Sequence, residues 1–98
     1  MGQVRLSARA LDDLERIFEF VAQTDPRRAL QIVQRIRQGV LILERHPLIG
    51  RRVEEGRREL VMGRGASAYL VLYRWYPLMD TALVLAVRNA REAGYRDR

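Results

Sequence analysis

His46-Pro47-Leu48-Ile49-Gly50-Arg51-Arg52 is the stretch at which one structural period gives way to another. Before it, apolar residues recur every three or four positions. After it, they gather in short β-branched and aromatic blocks. Pro47 cannot continue a helix and turns His46 away from the helical region, while glycine at position 50 tolerates φ > 0. The stretch therefore reads as a corner, with helices before it and a sheet after it.

Upstream, Val4-Arg5-Leu6 reads as a short strand and Ser7 as the N-cap of a helix, with Asp12 and Asp13 near its positive end. Leu11, Leu14, Ile17, Phe18 and Val21 share one face, opposite Asp12, Glu15, Arg16 and Glu19. That spacing predicts a helix over Ala8 to Ala22. Asp25-Pro26 starts a second helix, with the proline at its first position. Ala29, Ile32, Val33, Ile36, Val40 and Leu43 carry it to about Arg45, with His46 in its last turn. So short a connection makes the two helices an antiparallel hairpin.

Downstream, residues 48–57 form a polar, glycine-punctuated loop. Arg58 to Met62 is a strand, Gly63-Arg64-Gly65 a turn, and Ala68 to Tyr76 the strongest strand. Pro77 to Asp80 closes a hairpin into Thr81 to Arg88. Both faces of that hairpin are apolar, so the helices cover one and the other is only partly exposed or is covered by a partner. The expected fold is α+β, with the order βααβββ: an antiparallel sheet of three to four strands on an N-terminal helical hairpin. Residues 1–98 suffice for one domain.

Charge narrows the partners. The formal net charge is +6, and all 18 basic residues are arginine. Residues 1–44 contribute +1 and residues 45–98 contribute +5. The basic half suits a polyanion or an acidic partner. There is no cysteine and one histidine, and Asp12 and Glu15 lack a third ligand, so no metal or other cofactor is expected. Arg5, Arg9, Asp12 and Asp13 interrupt the amino end, and the longest apolar run, Ala82 to Val87, is too short for a bilayer. A cytoplasmic protein without membrane contact is expected.

Arg58, Arg74, Arg88 and Arg91 fall at or near strand ends, and Arg51 and Arg52 lie on the corner. Strands sit about 4.8 Å apart, so neighbouring strands would gather some of these guanidinium groups at one rim, with Glu59 and Glu92 available as counter-ions. Tyr69, Tyr73 and Trp75 alternate along a strand and read as packing groups. Tyr95 lies outside that pattern, among Arg91 and Arg96. Asp12, Asp13, Glu15 and Glu19 read as a solvated helix face, and His46 as a cation at a helix C-terminus.

The order of these pieces resembles the RelE/ParE toxin superfamily of bacterial toxin–antitoxin pairs. The likeness covers nearly the whole chain. It rests on Leu6-Ser7 before an Ala-x-x-Asp-Leu helix (Ala10, Asp13, Leu14), the Pro47-x-x-Gly50-Arg51 corner, the Tyr69-x-Val71-x-Tyr73 strand and a closing strand with Val87 and Arg91. The resemblance implies the βααβββ fold and an antitoxin whose C-terminal segment wraps and neutralises the toxin, operator DNA being bound only through that antitoxin. RelE-like members cut messenger RNA on the ribosome with lysines, arginines and a late tyrosine. ParE-like members lack that set and poison DNA gyrase.

This chain has no lysine, and Arg91 and Tyr95 stand closer together than the RelE pattern requires. Arginine stays protonated and is no general base. The ending Ala90-Arg91-Glu92-Ala93-Gly94-Tyr95 resembles ParE-type and plasmid-stabilisation members. A gyrase-inhibiting toxin is thus the leading expectation, with Arg51, Arg58, Arg74, Arg88 and Arg91 as its antitoxin- or target-binding surface. The alternative is a ribosome-dependent endoribonuclease using Arg51, Arg74 and Arg91 on the phosphate and Tyr95 near the 2′-OH. A third reading is a relic that binds only its antitoxin and operator DNA.

Overall fold

The computed structural model describes residues 2–96. Strand β1 (Gln3–Leu6) leads into helix α1 (Ala8–Ala22) and helix α2 (Pro26–Gly39), which continues as a 3-10 turn over Val40–Glu44. Four strands follow: β2 (Arg51–Arg52), β3 (Arg58–Met62), β4 (Tyr69–Tyr76) and β5 (Thr81–Asn89). The expected α+β order, with a helical hairpin on a sheet, is what the chain adopts.

Local chemistry sets the helix boundaries. Ser7 Oγ accepts from the Ala10 amide at 3.1 Å, and Asp25 Oδ1 accepts from the Arg28 amide at 3.0 Å, so each helix has its expected cap. The second helix ends earlier than its periodicity suggests. Gly39 passes so close to Met62 that a Cβ would lie 2.9 Å from its sulfur. Beyond it the backbone tightens into the 3-10 turn. His46 therefore lies outside the helix, exposed, with its amide bonded to the Ile42 carbonyl at 2.9 Å.

The sheet order is β1-β5-β4-β3-β2. It differs from expectation in two ways. Strand β1 pairs with β5 in parallel, so the sheet is mixed rather than antiparallel. The stretch read as loop also contributes β2, two residues paired with Arg58 and Glu59, which brings the strands to five. The pairing of β1 joins segments about 78 residues apart, a non-local choice that periodicity does not encode.

Alternation along the strands separates two faces. Val71, Tyr73, Val84 and Val87 face the helices and pack with Ala10, Leu14, Ile17, Ile32, Ile36, Val40 and Leu43. Glu59, Leu70, Leu72, Arg74, Ala86 and Arg88 lie on the opposite, outer face, as their register shows. A register shift opposite Leu72 and Tyr73 leaves Leu85 unpaired as a bulge in β5.

Asp13 corrects the sequence reading. It is 3% exposed rather than solvated, and its Oδ2 accepts from the Val87 amide at 2.9 Å, just beyond the bulge. Arg16 pairs with the same carboxylate at 3.4 Å. The carboxylate thus ties α1 to β5 where the ladder is irregular, and its buried charge has a cation and an amide to satisfy it.

Candidate functional site

Tyr73 builds the corner on which the basic residues sit. Its side chain is fully buried, yet its hydroxyl donates to the Pro47 carbonyl at 2.7 Å and accepts from the Gly50 amide at 2.9 Å. Burial pushes the phenol upward, against the lowering effects of the Gly50 bond and the Arg58 charge. Gly50 is required by proximity, not by a positive φ. A Cβ there would lie 2.6 Å from the Tyr73 ring and 3.0 Å from the Glu59 carbonyl. Arg58 Nη1 completes the clamp by donating to Leu48 O at 3.0 Å and Gly50 O at 2.9 Å.

That corner sets Arg51 beside Glu59 on the outer face. Glu59 is 6% exposed, and its Oε1 accepts from both Nε and Nη2 of Arg51, the Nε bond being 2.9 Å. Its Oε2 accepts from the Tyr95 hydroxyl at 2.5 Å. Burial tends to raise this carboxyl. The bonds from Tyr95 and Arg51, with the charges of Arg51 and Arg88, outweigh it and hold Glu59 below its ordinary range. The same contact moves Tyr95 the other way: burial and then the Glu59 carboxylate push its phenol well above its ordinary value.

Tyr95 reaches Glu59 because the segment after β5 folds back across the sheet. Ala90 N–H bonds to Ala68 O at 2.9 Å, and Glu92 Oε2 accepts from the Asn89 amide at 2.9 Å. Glu92 also meets Arg16 of α1 at 3.0 Å. The Arg88 guanidinium lies 5.0 Å from the centre of the Tyr95 ring, in cation–π range, and its Nη1 donates to Glu92 O at 2.7 Å. Its Nε is buried without an acceptor. Through Tyr95 this tail lies against Glu59 and Arg88 on the outer face, which was expected to be only partly exposed or covered by a partner.

The sequence-selected residues do not form one rim. Arg51, Arg74 and Arg88 share the outer face with Tyr95 near Glu59. Arg74 reaches away to the Glu55 carbonyl. Arg58 points to the helix-facing side, where it holds the corner. Arg91 is exposed in the turn after β5, where its amide bonds to Asn89 Oδ1 at 2.9 Å. Glu59, weighed only as a counter-ion, is the centre of the cluster. Tyr73 was read as packing, but its hydroxyl organises the corner. A tyrosine on a core-facing strand position, twenty-odd residues from a Pro-x-x-Gly, carries that signal only when the register is known. Among the described residues no cluster of histidine and carboxylate side chains could hold a metal ion.

The family described as "ParE toxin of type II toxin-antitoxin system, parDE" matches residues 4–94. Toxin RelE3 of Caulobacter vibrioides is 30% identical over 92 residues, spanning 94% of this chain and 98% of that protein. In the chromosomal ParDE toxin–antitoxin system of P. aeruginosa, one chain superposes with a TM-score of 0.75 at 25% identity, covering 91% of this chain and 96% of that one. The intact E. coli RelBE complex contains a chain of the same fold, with TM-score 0.67, 13% identity, and 94% and 100% coverage. With its Pro47–Gly50 corner, its β-sheet order and these matches in accord, the chain belongs to the ParE toxin family of type II toxin–antitoxin systems, within the RelE/ParE superfamily.

Proposed function

We propose that this toxin acts by docking on DNA gyrase, without chemistry of its own, and is neutralised by a cognate antitoxin. The observation that carries this reading is the state of the outer-face cluster. Both carboxylate oxygens of Glu59 are occupied, Oε1 by Arg51 and Oε2 by the Tyr95 hydroxyl at 2.5 Å, an arrangement in which the phenol is raised and the carboxyl lowered, and the charged groups around them are arginines. General acid–base catalysis needs a group that exchanges its proton near the working pH. A locked tyrosine–glutamate–arginine cluster suits recognition instead, with Arg51, Arg74, Arg88 and Arg91 offered to an acidic surface and Arg58 supporting them from behind. The ParE family match and the ParDE neighbour favour the same reading.

The antitoxin partner is inferred from the toxin–antitoxin assemblies in which the structural relatives occur. An acidic C-terminal segment wrapping the chain would suit its basic half, and operator DNA would be reached only through that partner. A cytoplasmic site of action follows from either target. No helix among the described residues is long and apolar enough to cross a membrane. Purified toxin is expected to block gyrase supercoiling and to accumulate cleaved DNA, with added antitoxin reversing both effects. Intact supercoiling at doses that arrest growth would contradict the proposal.

One observation favours the endoribonuclease alternative. Tyr95 does share a face with Arg51 and Arg88, the grouping a phosphate and a 2′-OH would need. On that reading, programmed ribosomes would yield cut transcript, and Arg51→Ala would abolish cutting.

A further inference from the structure

The outer face already holds an anion, and the chain itself supplies it. Glu59 is 6% exposed, and three donors converge on its carboxylate: Nε and Nη2 of Arg51 on Oε1, and the Tyr95 hydroxyl on Oε2 at 2.5 Å. Arg88 adds its charge at the same carboxyl and keeps its Nε buried without an acceptor. An arginine fork, a phenol and a second guanidinium make a donor set suited to a phosphate. Here a carboxylate from β3 fills that seat.

Its placement is rigid on every side. Residue 59 pairs with Arg51 across β2 and with Leu72 across β4, so strands flank it left and right. The tail bearing Tyr95 is tied down by Glu92, which meets Arg16 at 3.0 Å and accepts from Arg88 Nη1 at 2.7 Å through its carbonyl. A phosphate entering this seat would meet a like charge at contact distance and would have to displace bonds already made. The Arg51 side chain is nevertheless 62% exposed, so its outer edge can still meet an acidic surface. What Glu59 withholds is the enclosed position beside Tyr95.

We propose that Glu59 is a specificity residue, a built-in anion that keeps phosphate, free or in a nucleic-acid backbone, out of the seat formed by Arg51, Arg88 and Tyr95. This deepens the reading of the outer face as a docking surface without chemistry, on which it rests. Two arginines beside a phenol would by themselves form a phosphate site. One carboxylate among them satisfies the donors and lowers the local charge, and it leaves only the outward edges of the guanidinium groups for a partner. Loss of that single charge should therefore create a phosphate site that the native chain lacks.

The test titrates the full-length chain with inorganic phosphate and follows the Arg51 Nε–H resonance by NMR. In the native chain that resonance is expected to stay in place up to about 10 mM phosphate. Glu59→Gln keeps the shape of the side chain without its charge, and should show a saturable shift with affinity at least about tenfold stronger than that limit. Glu19→Gln raises the net charge equally from the exposed side of α1 and should behave as the native chain. Phosphate should also raise the melting temperature of Glu59→Gln and of Glu59→Ala more than that of the native chain, so a weakly folded variant still reports binding. The proposal is overturned by a saturable shift in the native chain, by an equal gain in Glu19→Gln, or by Glu59 variants as indifferent to phosphate as the native chain, the result expected of a merely structural carboxylate. Neither gyrase nor antitoxin is present, so the result stands apart from the supercoiling assay.

Discussion

At the scale of single residues, hydroxyls and carboxylates decide how the arginines are presented. Tyr73 is the clearest case, a fully buried ring whose one polar atom serves both ends of the Pro47–Gly50 corner. Tyr73→Phe leaves the buried Gly50 amide without its acceptor, and should destabilise the protein by about 1–3 kcal/mol. Urea unfolding with an unchanged slope tests this, and a loss below about 0.5 kcal/mol would contradict it. The pH dependence has a definite sign. Tyr95 and Tyr73 are both raised in the fold, so the folded chain keeps protons that the unfolded chain releases above about pH 10. Their stabilisation is complete below that pH and is lost as pH rises toward the folded values. Glu59 is lowered, so its share is present above the ordinary carboxyl value of 4.5 and is lost as pH falls through the folded one. Melting curves of the native chain, Tyr95→Phe and Tyr73→Phe between about pH 8 and about pH 11 should show the alkaline loss shrinking in each variant. An unchanged slope in Tyr95→Phe would contradict the Glu59 contact.

Elements show which parts of the fold were legible. Helix α1 runs over the residues its periodicity marked, because capping by Ser7 and the spacing of Leu14 and Ile17 are local signals. Strands β3, β4 and β5 were readable from β-branched and aromatic blocks between glycine and proline turns. Gly63, at φ 93°, makes the turn after β3 as its residue type suggests. The early end of α2, the two-residue β2 and the parallel pairing of β1 were not readable, since each depends on a contact distant in sequence. Asp13 is an intermediate case. It stands three residues from Ala10 and next to Leu14, on the apolar side, and that spacing marks it as buried even though its charge suggests a solvated face. Asp13→Ala removes the acceptor of the Val87 amide and the partner of Arg16, and should cost about 2–3 kcal/mol. Amide exchange localises the effect: Val87 is expected to lose more protection than Val84, and a uniform loss would argue against a role at the bulge.

On the scale of the whole molecule, charge is divided between two faces. The outer face carries Arg51 and Arg88 near Glu59, with Arg74 turned to the Glu55 carbonyl and a tail pinned to α1 through Glu92 and Arg16. The opposite side carries Arg52, Arg57 and Arg58 beside Trp75. The sequence showed the excess of arginine in its second half but not this division, because alternate residues diverge only once strands pair. Docking without chemistry is the central claim, and it is tested most directly by running gyrase supercoiling and ribosome-dependent translation side by side on one preparation. The account predicts that supercoiling fails and cleaved DNA accumulates while transcripts on programmed ribosomes stay whole. Cut transcripts with supercoiling untouched would contradict it.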